Sequence, residues 1–82
     1  MEIETYVVGW TDRFGVTMST PHWKAYLSIP AAKRAANRLA EQPDIVFLEI
    51  VTAYREYGCP VVRCRRARNA NGDWNSWEKV VV

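Results

Sequence analysis

Apolar and polar positions along this chain fall into several strand-like runs and one run with helical spacing. From Glu4 to Trp10 the residues Thr5, Tyr6, Val7 and Val8 have strong β character. Thr11-Asp12-Arg13-Phe14-Gly15 follows, with polar turn formers and a glycine that tolerates positive φ, so the pattern predicts a first strand and a turn. Val16 to Thr20 and Lys24 to Ser28 are short β-like pieces split by Pro21, which cannot donate to a central ladder. They predict one interrupted second strand at a sheet edge. Ser28 is placed as an N-cap and Pro30 falls in the first turn of a helix that runs through Ala31 to Glu41. Ile29, Ala32, Ala36, Leu39 and Ala40 form its apolar stripe, with Lys33, Arg34, Asn37, Arg38 and Glu41 opposite. Pro43 and Asp44 stop it.

Beyond the helix, Ile45 to Tyr54 reads as a long strand whose even positions, Val46, Leu48, Ile50, Thr52 and Tyr54, form the better core face. Gly58-Cys59-Pro60 turns the chain, Val61 to Arg68 makes another strand, and Asn69 to Asp73 leads into a last strand from Trp74 to Val81. No repeat or linker interrupts the sequence, so residues 1–82 are expected to form a single compact α+β domain. The expected architecture is ββαβββ: an antiparallel sheet of four to five strands with one helix packed on one face.

The register of the closing hairpin decides what the other face carries. A three-residue loop of Ala70, Asn71 and Gly72, with Gly72 left-handed, sets Val62 against Val80 and Cys64 against Glu78. A two-residue Asn71-Gly72 turn would instead set Cys64 against Lys79. Core matching favours the first, because Val62, Cys64 and Val80 then turn inward together. Arg63 and Arg65 would lie on the uncovered face with Trp77 and Lys79, and Arg65 would stack on Trp77. Phe47, Glu49 and Val51 share that face, with Glu49 pairing with Arg63 or Arg65 across strands. The expected partner-binding residues are therefore Arg63, Arg65, Trp77, Lys79, Phe47 and Glu49. Trp10 and Trp23 are assigned to the core or its rim, and Lys33, Arg34 and Arg38 to a solubilising helix face. Tyr54, Arg55, Glu56 and Tyr57 offer a further polar-aromatic edge, with Tyr54 capping the core.

Composition narrows the classes of function. The hydrophobic fraction is 49%, too high for a disordered tail, and no apolar run approaches the roughly 20 residues of a membrane helix. Eleven Lys and Arg against nine Asp and Glu give a net charge of +2, weak for a dedicated nucleic-acid binder. Arg63 to Arg68 nevertheless concentrates four arginines, and alternation places Arg66 and Arg68 at the core margin. Arginines beside aromatic rings could hold phosphates while the rings stack bases, which keeps a small nucleic-acid-binding module as an alternative. The acidic start, Met1-Glu2-Ile3-Glu4, lacks a secretory pattern, so a cytoplasmic location with no membrane partner is expected. Cys59 and Cys64 then read as reduced thiols, with Cys64 buried.

Catalytic and metal chemistry find little support. His22 is the single histidine, the two cysteines are not spaced as zinc ligands, and no Gly-rich phosphate loop exists. The reading is a non-enzymatic binding protein without cofactors. The length, the element order, the Ala/Arg-rich helix from Pro30 to Glu41 and the Trp-bearing closing hairpin together resemble small phage-encoded accessory proteins, including some anti-CRISPR inhibitors. That resemblance implies stoichiometric inhibition of a host defence nucleoprotein complex in the host cytosol. The alternatives are the nucleic-acid module and a structural homodimer.

Overall fold

The computed structural model describes residues 3–53 and 60–81. The expected turn residues Gly58 and Cys59, and the expected edge and core cap from Tyr54 to Tyr57, lie outside the described residues. Five strands form one antiparallel sheet: β1 (Tyr6–Asp12), β2 (Thr17–Ser19), β3 (Ile45–Thr52), β4 (Val62–Ala67) and β5 (Glu78–Lys79), in the order β2-β1-β3-β4-β5. Among the described residues one α-helix, α1 (Ile29–Leu39), packs on β1 and β3. The fold is thus α+β with the expected ββαβββ order.

Local sequence explains most of these elements. The Asp12 carboxylate accepts from the N–H groups of Phe14 and Val16, and Gly15 takes φ 85°, which closes the β1–β2 hairpin. The second strand is interrupted as expected. β2 ends at Ser19, a short 3-10 turn spans His22–Lys24, and the chain then returns to the sheet by a bridge between Tyr26 and Tyr6. Ser28 caps α1 by accepting from the Ala31 N–H at 3.2 Å, and Pro30 sits where no helical N–H is needed. The helix ends at Leu39, two residues before the expected Glu41.

The core joins Val8, Leu48, Ile50 and Cys64 of the sheet to Ala32 and Ala36 of the helix. Both alanines are fully buried, so the helix approaches the sheet closely. Removing a side chain such as Leu48 or Ile50 from water stabilises by about 1.5–3 kcal/mol. Leu48, Ile50 and Thr52 occupy the predicted inward positions of β3, but Ile45 rather than Val46 completes the core. A register shift at Thr11/Asp12 leaves Val46 without a partner on β1 and turns Ile45 inward.

A second irregularity matters more for function. The loop is the expected one: Gly72 has φ 88°, its N–H donates to the Asn69 carbonyl, and Arg68 bridges to Trp74. Between that bridge and β5, however, the strand after the turn gains one residue. Cys64 therefore pairs with Lys79, and Arg65 with Glu78, which overturns the expected pairing of Cys64 with Glu78. The turn residues were sufficient to choose the loop, but nothing in them encodes the extra residue between Trp74 and Glu78. The last strand is correspondingly reduced to Glu78–Lys79.

Candidate functional site

The two sheet faces divide the six expected binding residues differently from the sequence reading. Phe47, Glu49 and Arg65 lie on the face away from α1: in register, Gly9, Glu49 and Arg65 form one cross-strand row, with Phe47 beside Ala67. Trp77 and Lys79 do not join them. The one-residue slip gives Lys79 the orientation of buried Cys64, and Trp77 packs against the core cluster on the helix side. Arg63 also leaves the open face. Ile50 pairs with Cys64 and Val51 with Val62, so Arg63 is the extra residue of a bulge and turns toward the helix.

Arg63, Trp77 and Lys79 accordingly line a recess of about 320 Å³ with Ile29, Lys33, Cys64 and Val80. The Arg63 guanidinium donates to both Glu4 carboxylate oxygens at 2.9 Å, a bidentate pair. That hydrogen bonding, followed by the Glu4 charge, raises the Arg63 pKa above its ordinary value. Lys33 and Lys79 have no carboxylate partner among the described residues. The Trp77 indole N–H is buried and finds no acceptor.

The predicted Arg65–Trp77 stack is replaced by a longer column on the helix side. Lys33 lies 5.7 Å from the Trp77 ring centre, Arg66 lies 5.5 Å from Trp77 and 5.4 Å from Trp74, and Arg68 lies 4.6 Å from Trp74. Each such contact contributes about 0.5–1 kcal/mol where it is exposed. Arg66 also donates to the Asn75 carbonyl and to Asn37 Oδ1, which fastens the closing hairpin to the helix. Arg68 donates to the carbonyls of Ile45, Ala40, Gln42 and Gly72. The expectation that Arg66 and Arg68 lie at the core margin holds. Arg65 pairs with Glu78 at 3.3 Å instead of with Glu49. All four arginines of the run are thus engaged within the protein.

Glu49 instead lies over Gly9: a Cβ at Gly9 would come within 3.1 Å of its Cγ and Oε1. Val7, Met18, His22, Glu49 and Val51 help to line an open-face recess of about 290 Å³ beside β2. Among the described residues no three His, Cys, Asp or Glu side chains converge as a metal site, and no helix is long and apolar enough to cross a membrane.

The sequence reading missed the surface at the β2 edge. Trp23, expected in the core or its rim, is 80% exposed, and Phe14, Val16 and Met18 are also exposed. Trp10, by contrast, does pack against the core. The signal for Trp23 was its neighbour Pro21, which removes the segment from the ladder and with it the chance of packing an inward side chain. Comparison with protein-family models, with curated proteins and with solved structures finds no match to this chain.

Proposed function

We propose that the chain is a non-enzymatic protein-binding domain that engages its partner along the β2 edge. The observation that carries this reading is Trp23, 80% exposed in the turn that follows β2. A large aromatic held in water on a short, ordered turn is the kind of residue that anchors protein interfaces. Phe14 and Val16 before β2, and Met18 on it, are further exposed apolar side chains. Antiparallel alternation adds a second attraction. The Asp12 N–H donates to Val16 and the Thr20 N–H to Val8, so the backbone groups of Thr17 and Ser19 point away from β1. An extended partner segment can pair with them while its side chains enter the adjoining recess at Val7, Val51 and Glu49.

The engaged state of Arg63, Arg65, Arg66 and Arg68 favours a protein partner over a nucleic acid, because none of the four is left unpaired to meet phosphates. In the class that the sequence resembles, this mode of docking would block a host defence nucleoprotein complex by one-to-one occupancy. The test adds the purified chain to CRISPR-type nucleoprotein complexes and measures target cleavage. Stoichiometric inhibition that is lost in Trp23→Ala and kept in Arg65→Ala supports both the function and its surface. Inhibition unchanged in a folded Trp23→Ala variant removes the β2 edge from the reading. Absence of inhibition across the complexes tried removes the inhibitor class.

A further inference from the structure

We propose that the recess between α1 and the β4–β5 hairpin is a binding site for a small organic anion, a phosphate or carboxylate attached to an apolar body. Two observations meet there. Two of the chain's three lysines, Lys33 and Lys79, line the recess, and no carboxylate side chain does. Neither lysine is paired among the described residues, whereas Arg63 at the same rim is already held by Glu4. An anion entering the recess therefore meets two uncompensated ammonium groups on flexible stems, each able to donate a charge-assisted hydrogen bond. Lys33 now rests about 5.7 Å from the Trp77 ring, a weak contact that it can exchange for a full negative charge.

The rest of the lining is apolar. Ile29, Cys64, Val80 and the Trp77 ring make a floor that suits a hydrocarbon or aromatic body. At about 320 Å³ the space lies at the lower end of the range occupied by small-molecule sites. The size and the enclosure by α1 fit a small molecule rather than a polymer, and this site lies on the opposite side of the sheet from the recess beside β2.

The probes are phenyl phosphate, phenylacetate and inorganic phosphate, titrated into the isotopically labelled chain while backbone and indole N–H resonances are followed by NMR. Trp77→Phe assigns the Trp77 indole signal. Both phenyl compounds are expected to move the signals of Lys33, Trp77 and Lys79, and the stronger of the two identifies the preferred anion. Inorganic phosphate should bind about tenfold more weakly, since it leaves the apolar floor uncovered. Lys33→Ala and Lys79→Ala should each weaken phenyl phosphate about tenfold. Arg65→Ala, on the other face, should leave it unchanged. The proposal is overturned if neither phenyl compound shifts these signals at concentrations of about 20 mM, in the range of the weakest specific sites. It is equally overturned if the folded Lys33→Ala/Lys79→Ala double variant binds as the parent does.

Discussion

The Arg63 guanidinium holds the Glu4 carboxylate through two hydrogen bonds of 2.9 Å each, joining residues 59 positions apart. The Glu4 partner raises the Arg63 pKa, so the sign of its linkage follows directly. A cation whose folded pKa is raised contributes stability that is fully present below its unfolded pKa and is lost only as pH rises through the folded value. Both values lie above the usual working range. Arg63→Met should therefore lower the melting temperature by an amount that is constant between pH 7 and pH 10, as followed by circular dichroism. A difference that closes as pH rises from 7 to 10 would contradict this cause.

Arg68 should be among the least replaceable surface-contacting residues. Its three guanidinium nitrogens reach four carbonyls at 2.8–3.0 Å, including Ala40 and Gln42 just past the end of α1. Lysine keeps the charge but cannot reproduce the planar fork. Arg68→Lys is expected to destabilise by about 2–4 kcal/mol in urea unfolding, with Arg68→Ala at least as severe. A lysine variant as stable as the parent would show that charge alone suffices.

Ala36 tests the close approach of helix and sheet. It has no exposed surface, and it packs in the cluster with Val8, Leu48 and Ile50. Ala36→Leu adds three heavy atoms where there is no room and should destabilise by about 1–3 kcal/mol. Ala36→Gly should also destabilise, by about 1 kcal/mol through helix propensity alone. Opposite size changes that both lower stability, measured by denaturant melts, distinguish tight packing from a loose interface.

These elements differ in how readily the sequence revealed them. The Ser28 cap, Pro30 and the alanine stripe are local signals, and they located α1 to within two residues of its end. Pro21 placed the interrupted strand at an edge for an equally local reason. The binding face was not legible in the same way. Extra residues at Val46, at Arg63 and between Trp74 and Glu78 change which side of the sheet their neighbours occupy. Such insertions answer to the packing of distant strands, because a bulge inverts orientation without altering the propensity of any residue within it. For that reason Arg63, Trp77 and Lys79 lie together, as expected, but on the helix side of the sheet, where Lys33, four residues after Ile29, joins them.

Cys64 gives a chemical check on the observed register. It is a free thiol, 6% exposed, opposite Lys79 and beneath the helix. Alkylation at Cys64, mapped by mass spectrometry, should be slow in native buffer and rise steeply through the urea transition, because reaction needs the packed region to open. Reaction in native buffer at the rate of an unfolded thiol would rule out this burial.

The strand order also has a consequence for how the protein comes off the ribosome. β1 and β3 are central neighbours, so the middle of the sheet can close once Thr52 has emerged, with β2 and α1 already available as its flank and cover. β4 and β5 can then add outward in the order in which they are made. Glu4 must wait through nearly all of this for Arg63, which makes their pair a latch set after the centre has assembled. Synthesis from one end to the other thus runs in the same direction as growth of the sheet from its middle toward the β5 edge.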